Sequence, residues 1–368
     1  MSRGSTSTQR IVASLIAIIG FAALHADEPR VPTARVSSAS RLLLPGEIDS
    51  SNPLVWDLED GARRLFVLTS WGGVPIHSAG PSLDRLQRGQ LAIFNPHPGD
   101  GVWMEAIVPD AAGTWYGFYH HERPARPCGR DDRQLPNIGA ARSSDRGRTW
   151  DDLGIILDAP PESHVCESSN RFVFGGVGDV TAALDAEGQN LYLYYSQYVR
   201  DPGAQGVAVA RLAWADRDAP VGKLSIWNDA AWLPVSPAPE VEAGATASWI
   251  YPAGTPLVPA TRPFHDASPA ADVFWGASIH WNTYLEQYVM LLNRAKDDQF
   301  NNEGIYVSFA PGLHDPRAWS APKKIMNGGG WYPQAVGLEV GSGTDRLAGQ
   351  RARFFLTGKS EHMIEFER

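Results

Sequence analysis

Three acidic residues stand at matching places in a pattern that recurs along the chain. Asp49, Glu105 and Asp179 each lie near the start of an apolar stretch, which is followed by a turn and a second apolar stretch. Packing alone would favour an apolar side chain there, because charged residues are seldom buried without a partner. Carboxyl groups in one confined site resist joint ionisation, so that one can hold a proton while another acts as a base. If the fold brings the three together, they indicate acid–base chemistry.

The repeating pattern predicts how they could meet. The strand–turn–strand unit occurs five times, with copies that begin at Ile48, Val102, Val177, Phe274 and Trp331. Such repetition is typical of a β-propeller, whose blades surround a central channel lined by the first strand of each blade. The sequence therefore predicts an all-β fold over residues 42–368, a five-bladed β-propeller of four-stranded antiparallel blades. Its channel would collect the three acids in one pocket.

Other polar and aromatic residues near the predicted strand ends are candidates for ligand contact. They are Asn52, Trp71, Trp103, His120, Tyr195, His280, Arg294, Tyr332 and Gln334. Packing is the alternative role for each aromatic residue, and a hydrogen-bonded core position is the alternative for His280. Adjacent strand residues point to opposite faces, so at most one of His120 and His121 is expected to reach the pocket.

The chain resembles a known family where the acids stand. Five blades with an acid near the start of the first three inner strands resemble the propellers of glycoside hydrolase family 43. The segment from Asp49 to Pro53, followed by a strand that ends in Thr69-Ser70-Trp71, resembles their first blade. The resemblance implies carboxylate acid–base hydrolysis of a poly- or oligosaccharide in the central pocket, for which two carboxyl groups are the minimum.

The order of the acids departs from that family. Its members usually have Asp on the second blade and the acid Glu on the third, whereas here Glu105 precedes Asp179. By the resemblance Asp49 is the base that activates water. We interpret Glu105 as the acid and Asp179 as the residue that modulates its pKa. The resemblance implies no required cofactor, and it allows a structural calcium ion on the propeller axis with His280 as a contact. The sequence has no HExxH or paired CxxC motif, and we predict no metal-ligating residues.

A short motif adds a second resemblance. Ser143–Trp150 matches the S-x-D-x-G-x-T-W pattern of the Asp box found in sialidase-type propellers. In those families the box is a structural hairpin turn, so we interpret Asp145 as a turn residue. A sialidase-like enzyme is an alternative function, but it would need three arginines, and only Arg294 is well placed. A non-catalytic propeller that binds a glycan or a protein is the other alternative.

The overall composition limits the compartment and the partners. The net charge of −9, without a basic stripe, argues against nucleic acid. Arg3 and Arg10 precede an apolar run from Ile11 to Leu24 that is too short for a comfortable membrane span. Residues 1–26 therefore read as a secretory signal peptide, residues 27–41 as an extended segment, and the protein as exported to the periplasm or the medium without a stable membrane span. The only two cysteines, Cys128 and Cys166, predict one disulfide. The sequence predicts no particular oligomeric state.

Overall fold

The computed structural model describes Met1 and residues 31–99, 101–237, 249–266 and 270–368. Apart from Met1, the predicted signal peptide lies outside these residues. Across the described ranges the regular structure consists of β-strands and five short 3₁₀ turns. None of the described residues forms a helix of the length and hydropathy needed to cross a membrane.

Twenty-five strands follow in chain order. The strands up to the end of the second blade are β1 Thr33–Leu43, β2 Leu54–Glu59, β3 Ala62–Ser70, β4 Pro75–Gly80, β5 Gln90–Leu91, β6 Ile93–Asn95, β7 Val102–Pro109, β8 Trp115–Pro124, β9 Gln134–Ser143 and β10 Thr149–Leu157. The next group is β11 Val177–Leu184, β12 Asn190–Gln197, β13 Gly206–Ala213, β14 Ser225–Asn228, β15 Ala231–Pro234, β16 Ser236–Pro237 and β17 Trp249–Ile250. The last group is β18 Phe274–Asn282, β19 Gln287–Ala295, β20 Asn302–Ala310, β21 Lys323–Asn327, β22 Gln334–Gly337, β23 Leu347–Ala348, β24 Arg351–Leu356 and β25 Lys359–Glu367.

These strands form the five-bladed β-propeller predicted from the sequence. Blade 1 is β2-β3-β4-β5, blade 2 is β7-β8-β9-β10, blade 3 is β11 to β15, blade 4 is β18-β19-β20-β21, and blade 5 is β22-β24-β25-β1. Neighbouring strands within a blade are antiparallel. Two short strands add parallel pairs, β6 beside β10 and β23 beside β18, so blades 2, 3 and 4 are five-stranded sheets.

The N-terminal strand closes the ring. Strand β1 pairs with β25 from Thr33↔Glu367 to Leu43↔Lys359 and is the outermost strand of blade 5. The first and last parts of the chain thus share one sheet, which removes an open seam between blades. The propeller therefore begins at Thr33, earlier than the predicted boundary at residue 42. The extended segment that the sequence suggested is largely a blade strand.

Apolar side chains between successive blades form the core. The cluster between blades 2 and 3 contains Phe118, Ile138, Leu193 and Tyr195, and comparable clusters lie at the other blade interfaces. Full burial of a large apolar side chain contributes about 1.5–3 kcal/mol, so these interfaces hold the blades in fixed orientation. The inner strands therefore present their residues to the channel from rigid positions.

Three inner strands have an irregularity at the same place. The register shifts between Met104 and Ala106 in β7, and between Gly178 and Thr181 in β11. Strand β18 shifts between Trp275 and Ser278. A β-bulge adds a residue to one strand and re-aims the side chain next to it. The bulges fall on Glu105 and on Asp179, so two of the predicted acids occupy equivalent bulged positions in neighbouring blades.

The predicted disulfide is present. Cys128 and Cys166 are joined across a sequence separation of 38 residues. Cys128 belongs to the connection between β8 and β9, and Cys166 belongs to the long segment that leads into β11. The bond therefore ties the connection before blade 3 to blade 2.

Candidate active site

A pocket opens at the end of the channel where the inner strands of blades 2 and 3 begin. Its cavity volume is about 60 Å³. Residues from all five copies of the repeat or their connections line it: Asp49, His120, Glu122, Phe172, Val173, Asp179, Tyr198, Trp275, Phe300, Trp331 and Tyr332. Three of the eleven are carboxylic acids and six are aromatic residues other than histidine.

Glu105 lies behind this lining and not in it. Its side chain is 3% exposed, and its Oε2 accepts a hydrogen bond of 2.6 Å from the backbone N–H of Val180. Burial, followed by the nearby carboxylate of Asp179, raises the pKa of Glu105 well above its usual value. Because an isolated buried carboxylate is costly, the Glu105 carboxyl retains its proton to higher pH than a free glutamic acid does. Glu105 and Asp179 therefore form a coupled pair, of which only Asp179 reaches the pocket.

Asp179 is held by two neighbours. Tyr198 donates a hydrogen bond from Oη to Asp179 Oδ2, and the backbone N–H of Asp179 donates to His120 Nδ1 at 3.0 Å. The His120 ring leaves no room for a side chain at Gly178, since a Cβ there would lie 2.5 Å from Nδ1. The glycine before the acid thus allows the histidine of blade 2 to pack against the inner strand of blade 3.

The proton on His120 depends on the acids around it. In the observed arrangement Nδ1 accepts a hydrogen bond, which requires the neutral ring with its proton on Nε2. Burial lowers the pKa of His120, but Asp179, Glu105 and Glu122 outweigh that effect and raise it to about 9. Protonation at Nδ1 would replace the bond from the Asp179 backbone by one to Asp179 Oδ1, which is 3.6 Å away. The ring therefore gains a proton as the surrounding carboxyl groups become ionised.

Two further acids reach the pocket from blades 1 and 2. Asp49 is solvent-accessible in a recess before β2; partial desolvation there, and then Asp179, raise the pKa of its carboxyl. Glu122 lies two residues after His120 on the same face of β8, with Oε1 3.7 Å from His120 Nε2. Burial, and then Asp49 and Asp179, raise the pKa of Glu122, although His120 opposes this. The electrostatic influence of Asp49 on both Glu105 and Glu122 indicates that all four acids belong to one site.

Three of the lining residues adopt a strained backbone. The φ angles are 47° at Asp179, 56° at Phe300 and 54° at Tyr332. Non-glycine residues in this left-handed region cost on the order of 1 kcal/mol or more, and such residues concentrate at functional sites. The strain marks this end of the channel as a place where side-chain position outweighs local stability.

Aromatic rings form one wall of the pocket. Phe172 makes edge contacts with Phe300 and Trp331, at ring-centroid distances of 5.8 and 6.0 Å. The segment that carries Phe172 is fastened to the connection between β19 and β20, where Asn170 Nδ2 donates to Asp298 O at 2.7 Å. On its other side the Cys128–Cys166 disulfide ties it to blade 2. The aromatic wall is thus anchored to blades 2 and 4.

Asp49, Asp179, His120 and Tyr332 are the predicted residues that line the pocket, and the structure also places Glu105 directly behind Asp179. His121 points away, with Nδ1 3.1 Å from Asn137 Oδ1.

The other predicted residues lie outside the lining. Asn52 and Gln334 join blades 1 and 5, because Gln334 Nε2 donates to Asn52 O at 2.6 Å. Trp103 packs against the His120 ring, and Tyr195 is buried between blades 2 and 3. Trp71 is 59% exposed in a separate groove.

His280 and Arg294 also stand apart from the pocket. His280 lies four residues after the bulge of β18 and contacts the ring of Phe366 at 5.5 Å, while burial lowers its pKa to about 3. The bulged position equivalent to Glu105 and Asp179 is Gly276, so His280 is not the blade 4 counterpart of the acids. Arg294 lies over the rings of Phe274 and Tyr306.

Sequence reasoning missed several lining residues. Tyr198, Phe172, Trp275 and Phe300 were not among the candidates, and Glu122 was noted only beside the two histidines. Glu122 could have been found from the period of two that links it to His120. Phe172 and Phe300 lie in connections without a periodic pattern, so no local sequence signal points to them.

The residues near His280 do not form a calcium site. Calcium takes six to eight oxygen ligands, and no acid joins His280 in a potential ligand group within the described ranges. The group of potential ligands that does occur there is Glu105, His120 and Asp179, with ligand atoms within 4.8 Å of one another. Its His120 Nδ1 and Glu105 Oε2 already accept backbone hydrogen bonds. We therefore derive no step through a metal ion.

Asp145 forms a turn at the far end of blade 2. Its Oδ1 accepts backbone hydrogen bonds from Arg148 and Thr149 at 3.1 and 2.9 Å, and the Trp150 ring is buried beneath. Ser143 pairs with Trp115 at the start of β8, whereas the pocket residues stand at the end of that strand. Asp145 is thus remote from the pocket.

Comparisons with known proteins agree with the fold. No protein-family model matches the chain, and no curated protein matches it either. Among solved structures, an endo-arabinase from Bacteroides thetaiotaomicron superposes with a TM-score of 0.50 at 9% identity, covering 89% of this chain and 97% of that one. A thermostable family-43 glycoside hydrolase gives a TM-score of 0.47 at 10% identity over 89% of this chain and 92% of its own. An α-L-arabinofuranosidase from Podospora anserina gives 0.46 at 10% identity over 91% and 98%.

The similarity to the endo-arabinase bears on the fold alone. The chain is a five-bladed β-propeller with a carboxylate pocket at one end of its channel, and the predicted likeness to family-43 propellers is confirmed at the level of the fold.

Proposed function

We propose that this protein is a glycoside hydrolase that cleaves a neutral poly- or oligosaccharide in the central pocket. The observation that carries the proposal is the convergence of acids from separate blades on one aromatic-walled pocket. These acids influence one another, as the raised pKa values of Asp49, Glu105 and Glu122 indicate. Environments that keep one carboxyl protonated beside an ionised one are what acid–base hydrolysis of a glycoside requires.

The geometry favours roles for Glu105 and Asp179 that differ from the sequence-based interpretation. Glu105 is buried and does not line the pocket, so it is poorly placed to protonate a leaving group. Asp179 faces the pocket and shares a proton with Glu105 as a coupled pair, so it would deliver that proton. We therefore assign Asp179 as the acid and Glu105 as the residue that keeps a proton in the pair.

Asp49 is assigned as the base. It lies on blade 1, is open to solvent, and its raised pKa makes it a stronger base than an ordinary aspartate. A water molecule next to Asp49 would lose its proton to the carboxylate as it attacks the anomeric carbon, while Asp179 protonates the departing oxygen. Glu122 is the other pocket acid with a raised pKa and is the competing candidate for proton donor.

The pocket favours an uncharged substrate. No Arg or Lys belongs to the described lining, which carries Asp49, Glu122 and Asp179. A substrate carboxylate would meet like charges without a compensating cation. Arg294, the residue on which the sialidase alternative depended, lies against Phe274 and Asp272 instead. The geometry thus supports a neutral sugar over sialic acid.

The test is hydrolysis of a panel of aryl glycosides and neutral polysaccharides, followed by release of phenol and of reducing ends. We expect Asp179→Asn and Asp49→Asn to lower kcat/KM by at least about 10²-fold on whichever substrate is cleaved. Glu187→Gln, an exposed acid in the turn between β11 and β12, is the matched control and should retain parental activity.

The variants also separate the competing assignments. If Glu122→Gln abolished hydrolysis while Asp179→Asn remained active, Glu122 and not Asp179 would be the acid. If the parent protein cleaved no member of the panel but bound one of the polysaccharides, the non-catalytic alternative would replace the enzyme.

We also infer that the protein is exported. The basic and apolar N-terminal pattern supports a cleaved signal, and the disulfide is the kind of bond that persists in oxidising compartments. Mass spectrometry of protein secreted by the producing cell should find an N-terminus near residue 27. An intact Met1 on the exported or cell-associated protein would contradict cleavage.

A further inference from the structure

We propose that a groove beside the pocket on blade 1 binds a distal unit of the carbohydrate chain, with Trp71 as its stacking surface. The proposal rests on the proposed function, because it assigns the path by which a chain leaves the central pocket. The groove has a volume of about 550 Å³. It is lined by Pro45, Gly46, Glu47, Trp71, Ile76, Arg88, Gly89, Gln90 and Leu91.

The exposure of Trp71 is unusual within this protein. Its relative exposure is 59%, and no other tryptophan in the described residues is among the large exposed hydrophobic side chains. Tryptophans such as Trp115 and Trp150 are fully buried. Leaving an indole in water forgoes about 2 kcal/mol or more of burial free energy. A ring in this position is available to cover the apolar face of a sugar.

The groove joins the central pocket through a short rigid segment. Glu47 forms a parallel β-bridge with Trp71, and Asp49 follows two residues later, at most about 7 Å further along the chain. Gly46 allows this close contact, because it has a φ of 116° and a Cβ there would lie 2.5 Å from the Ser70 carbonyl oxygen. Thr69 Oγ1 also donates to Pro45 O at 2.6 Å. A chain bound at Asp49 would thus extend directly onto Trp71.

The polar groups of the groove suit a neutral sugar chain. Glu47, Arg88 and Gln90 are exposed, and their side chains make no hydrogen bond or ion pair to another described residue. They surround the flat ring with a carboxylate, a guanidinium and an amide. Hydroxyl groups can donate to or accept from all three, whereas a purely apolar protein partner would leave them unpaired.

The side of the pocket opposite blade 1 favours the same path. There Phe172, Phe300 and Trp331 contact one another and close the pocket. The pocket volume of about 60 Å³ is far below the 300–1,000 Å³ of sites that enclose a drug-sized ligand. A substrate longer than about one sugar ring must therefore continue outside the pocket, and the Trp71 groove is the adjoining open space.

The test compares two substrates that share the cleaved sugar. An aryl monoglycoside occupies the pocket alone, and an oligosaccharide also reaches the groove. For Trp71→Ala we expect kcat/KM to fall about tenfold on the oligosaccharide through KM, with the aryl glycoside unchanged. Trp71→Phe keeps a stacking ring and should restore most of the loss. Leu58→Ala, which truncates another exposed apolar side chain of blade 1, should affect neither substrate.

Affinity electrophoresis in gels that contain the polysaccharide separates this inference from the proposed function. If the parent cleaved nothing but was retarded by the polysaccharide, and Trp71→Ala was not retarded, the groove assignment would stand while the hydrolase assignment failed. Equal losses on both substrates, or no loss on either, would overturn the groove. So would a changed oligomeric state of Trp71→Ala in size-exclusion chromatography with unchanged retardation, since Trp71 would then serve a second copy of the chain.

Discussion

At the scale of single residues, the chemistry depends on how Asp179 is held. Its side chain accepts a hydrogen bond from Tyr198, its backbone donates to His120, and its backbone φ is 47°. The carboxyl group of Glu105 stands behind it and its pKa is raised. Asp179 therefore has its position set by three elements, and its proton is shared with a residue that the substrate does not touch.

Tyr198→Phe is expected to move the pH profile of activity. The hydroxyl stabilises the ionised form of Asp179, and a hydrogen bond to a charged group is worth about 1.5–3 kcal/mol. Its loss should shift the acidic limb of the kcat/KM profile upward by about one pH unit or more. The check is kcat/KM measured from pH 3 to 9 in parent and variant. A uniform drop without a shift of the limb would leave Tyr198 a packing residue only.

Glu105→Gln is expected to stabilise the protein at alkaline pH. In the unfolded chain Glu105 ionises near its usual pKa of 4.5, whereas in the folded protein burial raises that pKa. As the pH rises through this window the unfolded state loses the proton first, so the folded state becomes relatively less stable. Glutamine has no such cost and can still accept the Val180 hydrogen bond.

Thermal unfolding of parent and variant should therefore diverge with pH. We expect Tm of Glu105→Gln to exceed that of the parent by roughly 2–4 °C at pH 8, and the difference to disappear near pH 4. The opposite trend, with a variant less stable at pH 8 than at pH 4 relative to the parent, would contradict a buried protonated glutamic acid.

At the scale of elements, the segment before β11 builds the aromatic wall. It carries Phe172 and Val173 and is held to blade 2 by the Cys128–Cys166 disulfide. On its other side Ser169 Oγ donates to Asp298 Oδ2 at 2.6 Å. Covalent and hydrogen-bonded attachments thus replace the regular sheet pairing that this long connection lacks.

Removal of the disulfide should loosen the wall as well as destabilise the fold. For a closed loop of this length, the chain-entropy model gives about 4 kcal/mol, as an upper guide. We expect Cys128→Ser/Cys166→Ser to lose up to that amount in urea unfolding and to bind substrate more weakly, with a larger change in KM than in kcat. The parent in reducing agent should match the variant, and the variant itself should be indifferent to the reductant. A fully retained KM would show that hydrogen bonds alone hold the wall.

At the scale of the whole molecule, ring closure depends on the N-terminal strand. Strand β1 covers β25 over the length from Thr33 to Leu43, and Val36 packs against the core between blades 4 and 5. Without β1, the edge of β25 would be exposed to pairing with other chains. The two ends of the described chain thus stabilise the positions of all five inner strands.

Truncation should reveal this contribution. A protein that starts at Pro45 lacks β1, and we expect it to unfold several kcal/mol more easily than one that starts at Val31, or to aggregate. The Val31 version is the matched control, because it retains the complete strand. Equal unfolding midpoints in urea would show that the propeller does not need β1 for closure.

The sequence by itself determined the blade count and most of the acids. A strand–turn–strand pattern is local, since side-chain alternation and turn residues act over a few positions. The pattern therefore identified the inner strands and placed Asp49, Glu105 and Asp179 near their starts. The two cysteines likewise predicted the disulfide that the structure contains.

Only the tertiary structure decided which of these groups face the pocket. Bulges in β7 and β11 turn Glu105 behind the lining and Asp179 into it, and a bulge depends on pairing with the next strand. The aromatic wall of Phe172 and Phe300 comes from two connections that are distant in sequence and meet across blades 3 and 4. Local patterns specify strands, but the distances between side chains of different blades arise from packing around the channel. That is why the acids could be named from the sequence, while their roles required the fold.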